Sequence, residues 1–147
     1  MPSQTFFRTA RISSPPAKIY AHLSDPQSYL GLSPLLVDIR DVRPHPGGVA
    51  YTAVERFRYA VFTWDNPIAV TMTFPIPDRR IVSDVRSPAR VHLISTVDLT
   101  PAPDGTDLTE TIEVTYPPLL GRFVVGQATA VQRHRLAELT RRMSQPR

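Results

Sequence analysis

Between Leu119 and Met143 the chain runs for 25 residues without a proline, although 16 prolines punctuate the rest of it. The run is introduced by Tyr116-Pro117-Pro118 and ends on Arg141-Arg142. Proline suits a first helical turn, whose N–H groups have no intrahelical partner, and terminal arginines complement the negative end of the macrodipole. The pattern predicts one long helix from Tyr116 to Met143. Leu120, Val124, Val125, Ala128, Leu136, Leu139 and Met143 fall in one broad sector of its wheel, with Arg122, Arg133, Glu138 and Arg141 mostly outside it. Such a helix needs a surface to cover.

The preceding sequence supplies a sheet. Gln4 to Ile12 is rich in β-formers and places Phe6, Arg8, Ala10 and Ile12 on one face. Ser13-Ser14-Pro15-Pro16 then reads as a hydroxyl cap with proline in the first turn of a short helix, Ala17 to Leu23. Ser24-Asp25-Pro26 starts a second short helix ending near Gly31. From Leu35 the period becomes two. Leu35, Val37 and Ile39 alternate with Leu36, Asp38 and Arg40, and after the turn Pro44-His45-Pro46-Gly47-Gly48 a strand runs from Val49 to Tyr59. Trp64-Asp65-Asn66-Pro67 is expected to break the pattern, which resumes with Ile68, Val70, Met72, Phe74 and Ile76 on one face. Arg80 to Val85, Ala89 to Leu99 and Thr106 to Tyr116 complete a meander. The expected order is β-α-α-β-β-β-β-β-β-α, an α+β fold with an antiparallel sheet of about seven strands against the long C-terminal helix.

At 147 residues the chain is one domain, 1–147, by the usual prior, and is long enough to bury a core. It has no cysteine, which excludes disulfides and thiolate metal sites. His22, His45, His92 and His134 share no ligand spacing, so no metal is expected. A glycine-flanked nucleophilic serine and a phosphate-binding glycine loop are also missing. The net charge of +4 comes from arginines scattered along the chain, Lys18 being the only lysine, which argues against a nucleic-acid-binding face. The polar start and the lack of an apolar run of the ~20 residues that span a bilayer predict a cytoplasmic protein with no membrane span.

The opening residues carry a resemblance. A strand ending Ala10-Arg11-Ile12, then Ser13-Ser14-Pro15-Pro16-Ala17-Lys18-Ile19-Tyr20, then Leu23-Ser24-Asp25-Pro26, together with the order of elements along the whole chain, is similar to the START-like, or helix-grip, superfamily (SRPBCC). That group includes the birch-pollen allergen, steroidogenic lipid-transfer domains, and bacterial polyketide cyclase/dehydrase and lipid-transport proteins. Leu30-Gly31-Leu32-Ser33-Pro34 keeps a proline common there but lacks the usual tryptophan. The resemblance implies a sheet curled round the long helix, enclosing a cavity for an apolar molecule, and carries no universal catalytic motif.

Candidate lining residues are those on the covered faces. From the sheet these are Tyr51, Phe57, Val70, Met72, Phe74, Val91, Leu93, Val97, Ile112 and Val114, and from the helix Val124, Gln127 and Val131. Each could equally be plain core. Two carboxylates fall on the same faces, Glu55 between Ala53 and Phe57 and Glu110 between Leu108 and Ile112. A buried carboxylate has to be paired, neutral or wet. If the first and last strands pair, as the superfamily order implies, Arg8 could reach Glu110. Glu55, His134, Tyr51 and Arg8 are the groups available for acid–base work.

Three readings follow. The first is a binding protein for a small hydrophobic ligand such as a lipid, isoprenoid or polyketide, working as a monomer or weak homodimer without a cofactor. The second is an enzyme of polyketide cyclase/dehydratase type, which needs a proton donor and a proton acceptor near one reactive carbon, drawn from Glu55, His134, Tyr51 or Arg8; convergence of Glu55 and His134 on one cavity would favour it. The third is a protein-interaction module using the basic helix, which predicts a filled core.

Overall fold

The computed structural model describes residues 1–144, the side chain of Tyr59 apart. Its elements are β1 (Ser3–Ile12), α1 (Pro16–Leu23), a 3₁₀ turn (Pro26–Tyr29), β2 (Leu36–His45), β3 (Gly48–Tyr59), β4 (Phe62–Ile76), β5 (Arg80–Arg86), β6 (His92–Ala102), β7 (Gly105–Thr115), a second 3₁₀ turn (Pro118–Leu120) and α2 (Gly121–Ser144). The seven strands form one antiparallel sheet in the order β1-β7-β6-β5-β4-β3-β2. Sequential strands are neighbours, as short hairpin connections require. The exception is β1, which pairs with β7 from Ser3 opposite Thr115 to Ile12 opposite Thr106. This is the helix-grip arrangement, an open sheet with one long C-terminal helix.

Local chemistry departs from the sequence expectations at four places. The hairpin between β3 and β4 turns at Ala60-Val61, and β4 runs straight through Trp64-Asp65-Asn66-Pro67. Pro67 is tolerated because β4 pairs with β5 only from Ala69 onward, so its missing N–H costs no ladder bond on the open side. Strand β2 changes register between Leu36 and Asp38, which leaves Val37 exposed and turns both Leu35 and Leu36 toward the interior. The expected hydroxyl cap is absent: Pro15 is the N-cap of α1 and makes no side-chain bond. Finally, the long helix begins at Gly121, after the Pro118–Leu120 turn.

Ser14 instead serves the long helix. Its buried hydroxyl donates to the Met143 carbonyl at 2.7 Å, and its own carbonyl accepts from Thr106 Oγ1 at 2.7 Å. Nearby, Arg142 donates to the Ser28 and Leu30 carbonyls at 2.7 and 3.0 Å and to Glu138 at 2.9 Å. All the buried residues of α2, Gln132, Leu136, Leu139 and Met143, lie from its midpoint at Gln132 onward. The apolar three meet Ile12, Ile19, Leu23, Leu99 and Leu108 in the core. Burial of each is worth on the order of 1.5–3 kcal/mol, so this half fixes the helix. Residues 121–131 include no buried one and stand over a hollow.

Candidate functional site

The hollow is a cavity of about 350 Å³ between the inner face of the sheet and the first half of α2. Strand β3 contributes Tyr51, Ala53, Glu55 and Phe57 at the period of two, and α2 contributes Val124, Ala128, Val131 and Arg135 at three- and four-residue steps. Leu93 and Ile112 complete an apolar wall.

The inner end is polar. Glu110 is 2 % exposed, and Arg135 Nη2 donates to its two carboxylate oxygens at 2.7 and 2.6 Å. Ser95 Oγ donates to the same carboxylate at 2.5 Å, and Gln132 Nε2 donates to the Glu110 backbone carbonyl at 3.1 Å. The carboxylate is thus paired and accepts three hydrogen bonds, while Arg135 Nε and Nη1 make no hydrogen bond with a described residue. Tyr29 and Tyr51 also line this end. Burial pushes both phenols well above their ordinary range, against a smaller opposing pull from Arg135, so both hydroxyls stay protonated. Neither hydroxyl bonds a described residue. Among the described residues, Arg8 Nε is the one fully buried side-chain N or O atom without a partner, so the two hydroxyls open onto the cavity. The result is a cluster in which two phenol hydroxyls and the free N–H groups of Arg135 can donate together, suited to a carbonyl, carboxylate or enolate oxygen.

The outer end is aromatic, with one carboxyl group. Phe57 and Trp64, paired across β3 and β4, stack at 5.6 Å with planes 20° apart. Glu55 accepts a long hydrogen bond of 3.4 Å from Asn66 Nδ2, and burial raises its carboxyl above the ordinary value. About 13 Å of strand separates Glu55 from Tyr51, four residues at the usual rise.

The family described as polyketide cyclase / dehydrase and lipid transport matches residues 3–144. The chain belongs to this family. No curated protein matches its sequence. Among solved structures, a START superfamily protein of Mycobacterium smegmatis is similar at a TM-score of 0.77 and 15% identity, over 95% of this chain and 96% of that one. A protein of Chromobacterium violaceum superposes at a TM-score of 0.74 with 20% identity, covering 97% and 99% of the two chains. The di-domain ARO/CYC BexL, from the BE-7585A biosynthetic pathway, matches at a TM-score of 0.77 and 18% identity; this chain is covered to 99% but spans only 51% of BexL.

In this member of the polyketide cyclase / dehydrase and lipid transport family, the cavity is lined by Tyr51, Glu55, Phe57, Val70, Val91, Leu93, Glu110, Ile112, Val124, Gln127 and Val131. Four expected lining residues lie elsewhere. Met72 and Val97 belong to the core that α2 covers, and Phe74 packs edge-on against Tyr20 at 5.8 Å. Val114 is fully buried outside the cavity. They sit too far along their strands toward regions where the sheet is in van der Waals contact with other elements. His134 is corrected too: it is exposed, its Nε2 lies 3.3 Å from the Gly31 carbonyl, and it does not meet Glu55. Arg8 stands opposite Glu110 in the β1–β7 ladder, yet does not bond it and does not line the cavity. Arg135, Gln132 and Tyr29 escaped the sequence reading. Arg135 lies four residues after Val131 and four before Leu139, so the apolar stripe itself pointed to it, whereas Tyr29 sits in a 3₁₀ turn without a periodic signal. Among the described residues no group of three or more His, Cys, Asp or Glu could hold a metal ion, and no helix is long and apolar enough to cross a membrane.

Proposed function

We propose that the protein binds a small, mainly apolar molecule with an oxygen-bearing end, of the lipid, isoprenoid or polyketide kind, in the cavity beneath α2. The observation that carries this reading is the pairing of an apolar wall with one converging set of donors, Tyr29, Tyr51 and Arg135, around a volume of ordinary ligand size. The wall supplies affinity and the donors fix orientation. The same hollow speaks against the interaction module, which needs a filled core. Native mass spectrometry of the purified protein tests the reading: an apolar molecule released on denaturation supports it. A protein that carries nothing and fails to take up apolar probes such as anilinonaphthalene sulfonate, while Tyr51→Phe and Arg135→Met behave the same, would defeat it.

One observation favours an enzymatic variant. Glu55 faces the cavity opposite the donor cluster with a carboxyl raised by burial, the arrangement of a general acid or base working against a polarised carbonyl. Cyclisation or dehydration of a polyketide-like substrate would need both ends. His134 has no part in it. A pH–rate profile on any substrate found, compared between the natural protein and Glu55→Gln, separates binder from enzyme.

A further inference from the structure

Five exposed large apolar side chains gather at one end of the molecule, apart from Phe7, which stands alone on the outer face of β1. Val61 and Leu119 are 90% and 98% exposed, and Phe62, Trp64 and Phe123 are exposed beside them. Val61, Phe62 and Trp64 form the tip of the β3–β4 hairpin, and Leu119 and Phe123 flank the start of α2. Both groups border the cavity mouth, since Phe57, Trp64, Leu120 and Phe123 line it, together with Ser87, Ala89 and Val91 from the β5–β6 turn. Isolated exposed apolar residues need no explanation; a ring of them around an apolar cavity does.

The exposed unpaired charge around the ring is mainly cationic. Arg58 on the hairpin, Arg90 in the β5–β6 turn and Arg122 in the first turn of α2 are exposed and have no carboxylate partner among the described residues. The carboxylates at this end are taken: Asp65 by Arg56, and Asp84 by Arg86 and His92. The exceptions, with no cation partner, are Glu113, exposed on the outer face of β7, and Glu55, half-buried at the outer end of the cavity with a carboxyl that burial raises. The unpaired Asp78 and Asp104 lie in the turns at the opposite end of the sheet. Bulky apolar tips interleaved with unpaired arginines are the chemistry of insertion into an anionic lipid surface, where apolar groups enter the acyl boundary and cations meet the headgroups.

The geometry points to the cavity mouth as a docking surface for an anionic bilayer, seated through Val61, Phe62, Leu119 and Phe123 and held by Arg58, Arg90 and Arg122. Docked there, the cavity opens directly into the acyl region, so an apolar ligand enters or leaves without crossing water. That passage rests on the binding role proposed above; the docking does not. A second copy of the chain is the rival occupant of an apolar ring, but juxtaposing two rings would bring their arginines together unpaired.

Trp64 is the only tryptophan and stands in the ring, so it reports on its own surroundings. The experiment mixes the purified protein with large unilamellar vesicles of phosphatidylcholine, with or without phosphatidylglycerol. It reads co-sedimentation, the Trp64 emission maximum, and quenching by acyl-brominated lipid. Expected are binding to the anionic vesicles, a blue shift with bromine quenching, and weakening by salt. Each Arg→Glu change at positions 58, 90 or 122 should weaken binding by about fivefold or more. Val61→Asp with Leu119→Asp should abolish it, with an unchanged melting temperature because neither side chain is buried. Failure to bind anionic vesicles, or binding that the paired aspartates leave intact, overturns the proposal. So does a dimer in sedimentation velocity that the same aspartates dissolve, which would give the ring to a second copy. Cavity occupancy by native mass spectrometry in the aspartate variant is read separately, so loss of docking and loss of ligand binding are distinguishable.

Discussion

Two arginines are placed to serve Glu110, Arg135 on α2 and Arg8 directly across the β1–β7 ladder, and the helix arginine alone is bonded to it: its Nη2 lies 2.6 and 2.7 Å from the two oxygens, whereas Arg8 makes no bond to either. Glu110 faces into the sheet's interior, and Ser95 already approaches it from β6. A helix side chain descending from above completes that set. Arg8 Nε is left buried without a partner. Replacing Arg8 by Met should therefore cost less than about 1 kcal/mol or even stabilise, since an unsatisfied donor is removed. Thermal melts of Arg8→Met decide this.

Arg135 is the opposite case. Arg135→Met leaves a buried carboxylate with one hydroxyl donor, and breaking such a pair costs on the order of 3–5 kcal/mol. Adding Glu110→Gln should restore much of that, because no charge is then stranded. Denaturant unfolding of the two single variants and the double variant gives the coupling directly, and additive losses would contradict the pairing described here.

Glu55 makes stability depend on pH. Burial raises its carboxyl from the ordinary 4.5 in the folded protein. The protonated form is therefore the one folding favours. That contribution is fully present below the unfolded value and is lost as pH rises through the folded one. Glu55→Gln keeps the Asn66 contact without the titration. The stability advantage of the natural protein over the variant should shrink as pH rises above the ordinary 4.5, measured by urea unfolding across a pH series.

Arg142 holds the segment that presents Tyr29. Its guanidinium caps the Ser28 and Leu30 carbonyls on either side of that tyrosine. Arg142→Ala should cost about 1–3 kcal/mol and raise amide exchange across residues 26–32 before it affects the sheet. Uptake of an apolar probe should weaken in the same variant if Tyr29 orients it.

Much of this was legible in sequence because the sheet faces water on one side. Leu108, Glu110, Ile112 and Val114 alternate with threonines and acids, and that alternation fixed β7 and its inner face. What the sequence left hidden depended on distance in space. Pro67 read as a break because its harmlessness depends on where β5 stops, far along the chain. Met72 and Leu93 look alike as inward strand residues, and only their position relative to α1 and the seat of the helix decides between core and cavity wall. Arg135 was legible as a cation on an apolar stripe, yet nothing local could show whether Glu110 would take it or Arg8.

The grip of Ser14 on Met143, with every buried residue of α2 at or beyond Gln132, makes the long helix a cantilever anchored at one end. If the N-terminal stretch swings away from the sheet, the core is left undisturbed and a guest larger than the resting volume becomes admissible. Faster amide exchange at residues 122–131 than at 132–143, slowed when an apolar guest is bound, is the signature of that spring.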